Sequence, residues 1–272
     1  MKKFSLVFLV VVISFSALRA QDEPVQSSKK ESKEERKESR RQKINEISRQ
    51  AEEGVLVYRK QSIFGLQAKT NGYGLFYEVG RMKTTRKTNI YRIDISETKS
   101  AKEEKLLGGS FIFGNPFIYG KQNYFYPITL GFGQQYIFGQ KGNKNGVAVS
   151  GLYNAGLALG LLRPYYLNVN DPMAGGSRNI KYSVEDSALF LGPDINGGGG
   201  FGQGWGEITL KPGAFAKVAM RFDYGRFNEV VSGLEIGMSA EYYASDVPIM
   251  LLHEAKNFFF HGYVAILFGR RK

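Results

Sequence analysis

Two neighbouring segments decide the fold: LKPGAFAKVAMRF at 210–222 and VVSGLEIGMSAEY at 230–242. Successive side chains of a strand point to opposite faces, so residues two apart share a face. In the first segment Leu210, Ala214, Val218, Met220 and Phe222 oppose Lys211, Lys217 and Arg221. In the second, Val230, Leu234, Ile236, Met238 and Tyr242 oppose Glu235, Ser239 and Glu241. The charges keep to one face of each strand, and the continuous apolar face is the other.

Working outward, the texture after Gly54 is the same. Alternating runs rich in Tyr, Phe, Val and Ile occupy 62–70, 73–81, 89–96, 125–138, 146–163, 207–224, 230–243 and 258–269, which predicts eight strands. In the last run Phe258, Phe260, Val264, Ile266 and Phe268 share a face. The links 82–88, 139–145 and 225–229 are short, whereas 97–124, 164–206 and 244–257 are long. Short and long ends that alternate, with lipid-facing and lumen-facing residues that alternate, are the pattern of an outer-membrane barrel. A soluble β-sandwich would carry its polar residues on the outer face. The sequence therefore predicts an all-β fold, an eight-stranded antiparallel transmembrane β-barrel at 58–272, with both termini on the periplasmic side and outer-membrane lipid around it.

Asn71-Gly72 is a strong hairpin signal and predicts that Phe64, Leu66 and Ala68 meet Val79, Tyr77 and Leu75 on the lipid side, with Glu78 inside. Aligning the lipid faces across the 225–229 turn requires paired residue numbers with an even sum. If Tyr224 pairs with Asn228, Lys217 falls opposite Glu235 and Lys211 opposite Glu241, giving two ion pairs in the lumen.

The glycine-rich stretch GGGGFGQGWG at 197–206 lacks the strand-then-helix context of a phosphate loop, and EITLKPGAF follows it with strand-like alternation. Read as a strand, it places Gly200, Gly202, Gly204 and Gly206 on one face, with Phe201 and Trp205 on the other. A flexible loop tip is the alternative for Gly197–Gly200. Trp205, with Tyr165 and Tyr166, is expected in the aromatic girdle at the membrane interface.

The N-terminus, MKKFSLVFLVVVISFSALRAQ, has two lysines, an apolar run over 4–15 and small residues ending at Ala20, the form of a signal peptide at 1–20. Residues 21–57 form a charged periplasmic arm, almost without large apolar side chains from 21 to 53; it is either disordered or, from about Lys33, a solvated helix with i, i+4 charge pairs. It is a spacer or a docking arm. The absence of cysteine excludes disulfides, thiol catalysis and N-terminal lipidation. Net charge is +12, but the cations are scattered and form no nucleic-acid recognition motif, so anionic lipid headgroups are the expected partner of that charge.

Catalytic chemistry is sparse. The two histidines are His253, in a loop, and His261, which faces the lumen and is followed by Gly-Tyr rather than a nucleophile. Asp194-Ile-Asn196-Gly starts like a calcium loop, but Gly198 and Gly200 replace the later ligands and no Glu closes it. No catalytic residue, cofactor or metal is assigned. An eight-stranded lumen filled by side chains is not a diffusion pore.

The stretches KTNGYGLFYEVGR (69–81), LKPGAFAKVAMRFDYG (210–225), EIGMSAEYYASDVPIMLL (235–252) and FFFHGYVAILFGRR (258–271) together resemble small outer-membrane β-barrel proteins of Bacteroidota, over most of the chain after Arg59. The family's closing strand commonly ends in an aromatic residue; here Phe268 stands before Gly-Arg-Arg-Lys. The resemblance implies a non-enzymatic accessory or scaffold barrel, partnered by other outer-membrane or periplasmic proteins, in outer-membrane protein assembly or type IX secretion. A lipid-modifying hydrolase is the alternative.

Overall fold

The computed structural model describes residues 36–42, 44–45, 58–107, 115–142, 145–172, 175–225 and 229–272. The expected signal peptide lies outside the described residues, as does most of the arm; its residues 36–42 and 44–45 are α-helical.

The eight expected strands close into one antiparallel ring: β1 (Lys60–Lys69), β2 (Gly72–Thr84), β3 (Lys87–Thr98), β6 (Asn123–Gly139), β7 (Ala148–Pro164), β11 (Thr209–Asp223), β12 (Val230–Val247) and β13 (Lys256–Arg271). Sequence neighbours pair around the ring, and β1 closes on β13. The outer connections carry five further strands, β4 (Lys105–Leu107), β5 (Pro116–Ile118), β8 (Tyr166–Asp171), β9 (Gly176–Lys181) and β10 (Ile195–Gly198). β8, β9 and β10 make a small sheet of their own, while β4 and β5 make a hairpin.

Facing follows the pleat. β1 alternates strictly between exposed and buried, with Phe64 and Leu66 outward and Gln61, Ile63 and Gln67 inward. On β13 Phe258, Phe260, Val264, Ile266 and Phe268 are exposed, while His261, Tyr263, Ala265 and Leu267 are buried. Glycine serves the crowded lumen: a Cβ on Gly160 would stand 2.6 Å from the Phe125 ring, so its absence makes room for that aromatic.

Two registers differ from expectation. β1 and β2 pair Phe64 with Tyr77 and Lys69 with Gly72, so Thr70 and Asn71 form the turn and Gly72 is the first residue of β2. Glu78 is inside as expected, but Phe64, Leu66 and Ala68 meet Tyr77, Leu75 and Tyr73. Neither Asn71 nor Gly72 has a positive φ, so the hairpin turn for which Asn-Gly is favoured does not form. Across the next discrepant hairpin, Lys217 lies opposite Ser239, Arg221 opposite Glu235 and Phe215 opposite Glu241. The expected pairing of Lys217 with Glu235 and Lys211 with Glu241 is thus offset by four residues. The face rule fixes only the parity of the sum, and a slip by an even number leaves every side chain on its face.

The stretch 200–206 is not a strand. Residues 201–204 turn and Trp205–Glu207 form a 3-10 turn, with Gly200 and Gly204 at φ +88° and +81°, a region open to glycine at little cost. Trp205 Nε1 donates to the Phe201 carbonyl at 2.8 Å, which closes the turn and puts the two aromatic rings together.

Candidate functional site: the charged lumen and the capped outer mouth

The alternation that sends apolar residues outward sends polar ones into a lumen without bulk water, where an unpaired charge is costly. The inner faces meet that demand with a network. Arg221 donates to both oxygens of Glu78, at 2.7 Å each, and to Glu235 from Nε at 3.0 Å and from a terminal nitrogen at 2.7 Å. Arg92 reaches Glu235 at 2.7 Å and Asp94 at 3.2 Å, and its guanidinium lies 3.4 Å from the centre of the Phe76 ring. Lys217 pairs with Asp94 at 2.7 Å, and the Tyr263 hydroxyl donates to Glu235 at 2.7 Å. Nearer the outer end, Glu241 accepts from Lys69 at 3.1 Å and from the Tyr243 hydroxyl at 2.8 Å. Four cations thus face four carboxylates (Lys69, Arg92, Lys217 and Arg221; Glu78, Asp94, Glu235 and Glu241), with side chains at most 3% exposed. Lys211 does not join them: it sits at the rim and donates to Ser245 at 2.8 Å.

One cluster in the lumen escaped the sequence reading. The closing register sets Ser239 opposite His261, and His261 Nε2 lies 3.6 Å from Glu241. Among the described residues neither Ser239 Oγ nor either His261 nitrogen makes a hydrogen bond, and all are buried. The signal was the parity of β12 and β13, which puts both residues on the inner face.

Above this level the interior turns apolar. Phe125, Phe215, Tyr243 and Val247 from the barrel join Leu167, Val169, Ile180, Phe190 and Ile195 from the 164–206 connection, and Ile249 and Met250 from the last outer loop, in one cluster. Phe125, Tyr243 and Phe259 pack ring to ring across the mouth, with centroids 5.2 to 5.9 Å apart. The long connections are therefore a folded lid of their own composition.

Tyr165, expected at the lipid interface, belongs to that cluster instead: it is 4% exposed, and its hydroxyl accepts from the Ile118 amide at 3.0 Å. Burial pushes its phenol up to about 12. The reason is that the chain leaves the barrel at Pro164 and folds inward as β8. Tyr166 is half-buried and donates to Glu207 at 2.9 Å; Trp205 is exposed and stacks on Tyr126 at 5.9 Å. Between these rings lies Arg163, 1% exposed, whose guanidinium is 4.3 Å from Tyr124, 4.9 Å from Phe201 and 4.6 Å from Trp205. Such contacts stabilise a cation that has no carboxylate partner among the described residues. An adjoining cleft of about 400 Å³ is bounded by Tyr73, Glu97, Lys99, Glu103 and Lys121. Both of its acids are engaged: Glu103 pairs with Lys121 at 2.9 Å, and Glu97 accepts from the Tyr73 hydroxyl at 2.6 Å and lies 3.9 Å from Lys99.

A closed eight-strand ring with an apolar outer wall, a charge-paired lumen and aromatic residues near its rims is an outer-membrane-type β-barrel. Its backbone groups are satisfied around the ring, which a membrane demands, and its place is the outer membrane. No protein-family model and no curated relative matches the chain. Among solved structures it is similar to neisserial surface protein A, at 10% identity over 78% of this chain and 96% of that one, with a TM-score of 0.36. It is likewise similar to Ail, the attachment invasion locus protein of Yersinia pestis, at 11% identity over 79% and 100%, with a TM-score of 0.35. A third is the N-terminal β-barrel domain of Pseudomonas aeruginosa OprF, at 10% identity over 78% and 98%, with a TM-score of 0.33.

Proposed function

We propose that the protein is a non-enzymatic accessory or scaffold barrel of a larger envelope complex, in outer-membrane protein assembly or type IX secretion, as the resemblance to barrels of Bacteroidota implies. The observation that carries this reading is the filled and lidded lumen: Arg221, Glu78 and Glu235 cross its middle, and the Phe125–Tyr243–Phe259 stack crosses its mouth. A barrel so closed offers its surfaces rather than its interior. Those surfaces are the folded lid, the lipid-facing wall and the charged arm at 21–57, the last of which is of a composition that orders on binding. The test is a mild-detergent pull-down of the full chain from its native membrane. A defined larger outer-membrane complex is the expected product, and recovery of the barrel alone overturns the reading.

A lipid-modifying hydrolase is the second reading, favoured by the proximity of Ser239, His261 and Glu241. A nucleophile must be reached by substrate and hydrogen-bonded to its base. Here the Ser239 hydroxyl and the His261 ring make no hydrogen bond among the described residues, and the aromatic stack lies above them. Purified barrel is expected to show no phospholipid hydrolysis. An activity abolished by Ser239→Ala and by His261→Ala would establish the hydrolase instead.

A further inference from the structure

The lumen balances its charges; the short-turn end of the outer wall does not. Lys60 exchanges backbone hydrogen bonds with Lys272 on one side, at 2.8 Å each way, and lies directly opposite Arg81 on the other. All three side chains are exposed on the outward face, so three cations stand abreast. On the next rung toward the membrane Ser62 is flanked by Arg270 and Val79, and on the one after that Phe64 is flanked by Phe268 and Tyr77. Like charges directly opposite each other on a sheet are destabilising.

None of Lys60, Arg81, Lys83, Arg270 and Lys272 takes part in an ion pair among the described residues. Two acids lie at this end: Asp223, inside the barrel and engaged by Arg271 at 2.6 Å and Lys141 at 3.5 Å, and exposed Glu229, whose backbone carbonyl accepts from the Arg271 amide at 2.7 Å and which takes part in no ion pair among the described residues. A cleft of about 790 Å³ lies against the cationic rung, bounded by Arg59, Lys60, Arg81, Met82, Lys83 and Lys272, with no Asp or Glu among its described walls. The cleft is rimmed by cations, and two rungs along the outward wall from Lys60 the surface turns apolar, with Phe64 between Phe268 and Tyr77 and then Leu66 between Ile266 and Leu75.

From this we infer that the rung Lys272–Lys60–Arg81 is a headgroup clamp for an anionic, phosphate-bearing lipid in the leaflet at the short-turn end, the periplasmic leaflet in this architecture. Phosphate oxygens would bridge the three cations and relieve their repulsion, while acyl chains lie along the wall below. Free phosphate satisfies the first requirement but not the second.

The test uses the full chain, folded in zwitterionic micelles doped with equal amounts of phosphatidylglycerol and phosphatidylcholine, with bound lipid counted by native mass spectrometry. Retention of phosphatidylglycerol is expected. Lys60→Gln with Arg81→Gln should lower that preference about fivefold per charge removed, whereas the charge-keeping pair Lys60→Arg with Arg81→Lys, and Lys211→Gln at the opposite rim, should leave it in place. Heat-modifiable gel migration checks folding; if the double variant does not fold, Lys60→Gln alone serves. Equal retention of the two lipids, or an unchanged preference in the folded Gln variants, overturns the inference. Adducts of inorganic phosphate or poly-glutamate without any lipid preference would overturn it too, leaving a free-anion site or a protein-docking face.

Discussion

The middle of the lumen and its outer mouth are both closed to solvent, by different chemistry. In the middle, Arg221 and Arg92 bind three carboxylates contributed by β2, β3 and β12, and every partner is fully buried. At the mouth, Leu167, Val169, Phe190 and Ile195 bury against Phe125 and Tyr243 without a charge among them. A buried ion network adds little net stability, but removing one member strands the others. An apolar cluster loses only the contacts and the cavity of the side chain removed. The middle is therefore brittle and specific, the mouth graded and tolerant.

The largest test of that contrast is Arg221→Ala, which strands Glu78 and Glu235. It is expected to cost about 3 to 5 kcal/mol in equilibrium urea unfolding of the barrel in lipid vesicles. Leu167→Ala in the lid should cost about 2 to 3 kcal/mol, and the loss should appear as faster proteolysis of the 164–206 connection while the barrel stays folded. A barrel that unfolds with its lid would erase the distinction.

Smaller effects sharpen it. A double-mutant cycle between Arg221→Gln and Glu235→Gln should return a coupling of roughly 1 to 3 kcal/mol, whereas Lys217 with Glu235 should return a clearly smaller one, since Lys217 is bound to Asp94 and reaches Glu235 only through Asp94 and Arg92. A large coupling in the second cycle would restore the alternative register. At the lid edge Trp205→Ala should cost about 1 kcal/mol through its lost contacts with Tyr126 and Arg163. The smallest effect is one of pH. Hydrogen bonds from Lys181 and Tyr166 lower the Glu207 carboxyl below its ordinary value of 4.5. Its contribution is therefore complete above that value and is lost as pH falls below it. Proteolysis of the lid should quicken slightly on acidification through this window, and Lys181→Gln should blunt the change.

The strands were legible because each carries its own period. The eight barrel strands lie within a few residues of their predicted bounds, and the charged faces of 210–222 and 230–242 do point inward. The lid was less so, although Leu167 and Val169 in YLNVND, with Ile180 in GSRNIK, are an alternating hairpin signal inside what reads as a long loop. Tyr165 was misplaced because a girdle position assumes that the strand continues outward, and the chain turns in after Pro164.

Sequence by itself determined which residues face lipid and which face the lumen, because the two-residue period of a strand is local and a slip by two residues leaves it intact. What only the tertiary structure decided is which inward charges meet. Lys217 finds Asp94 from 123 residues away, and Arg221 finds Glu78 from 143. Contacts across a lumen depend on how every strand in the ring is staggered against its neighbours, so no single hairpin contains that information.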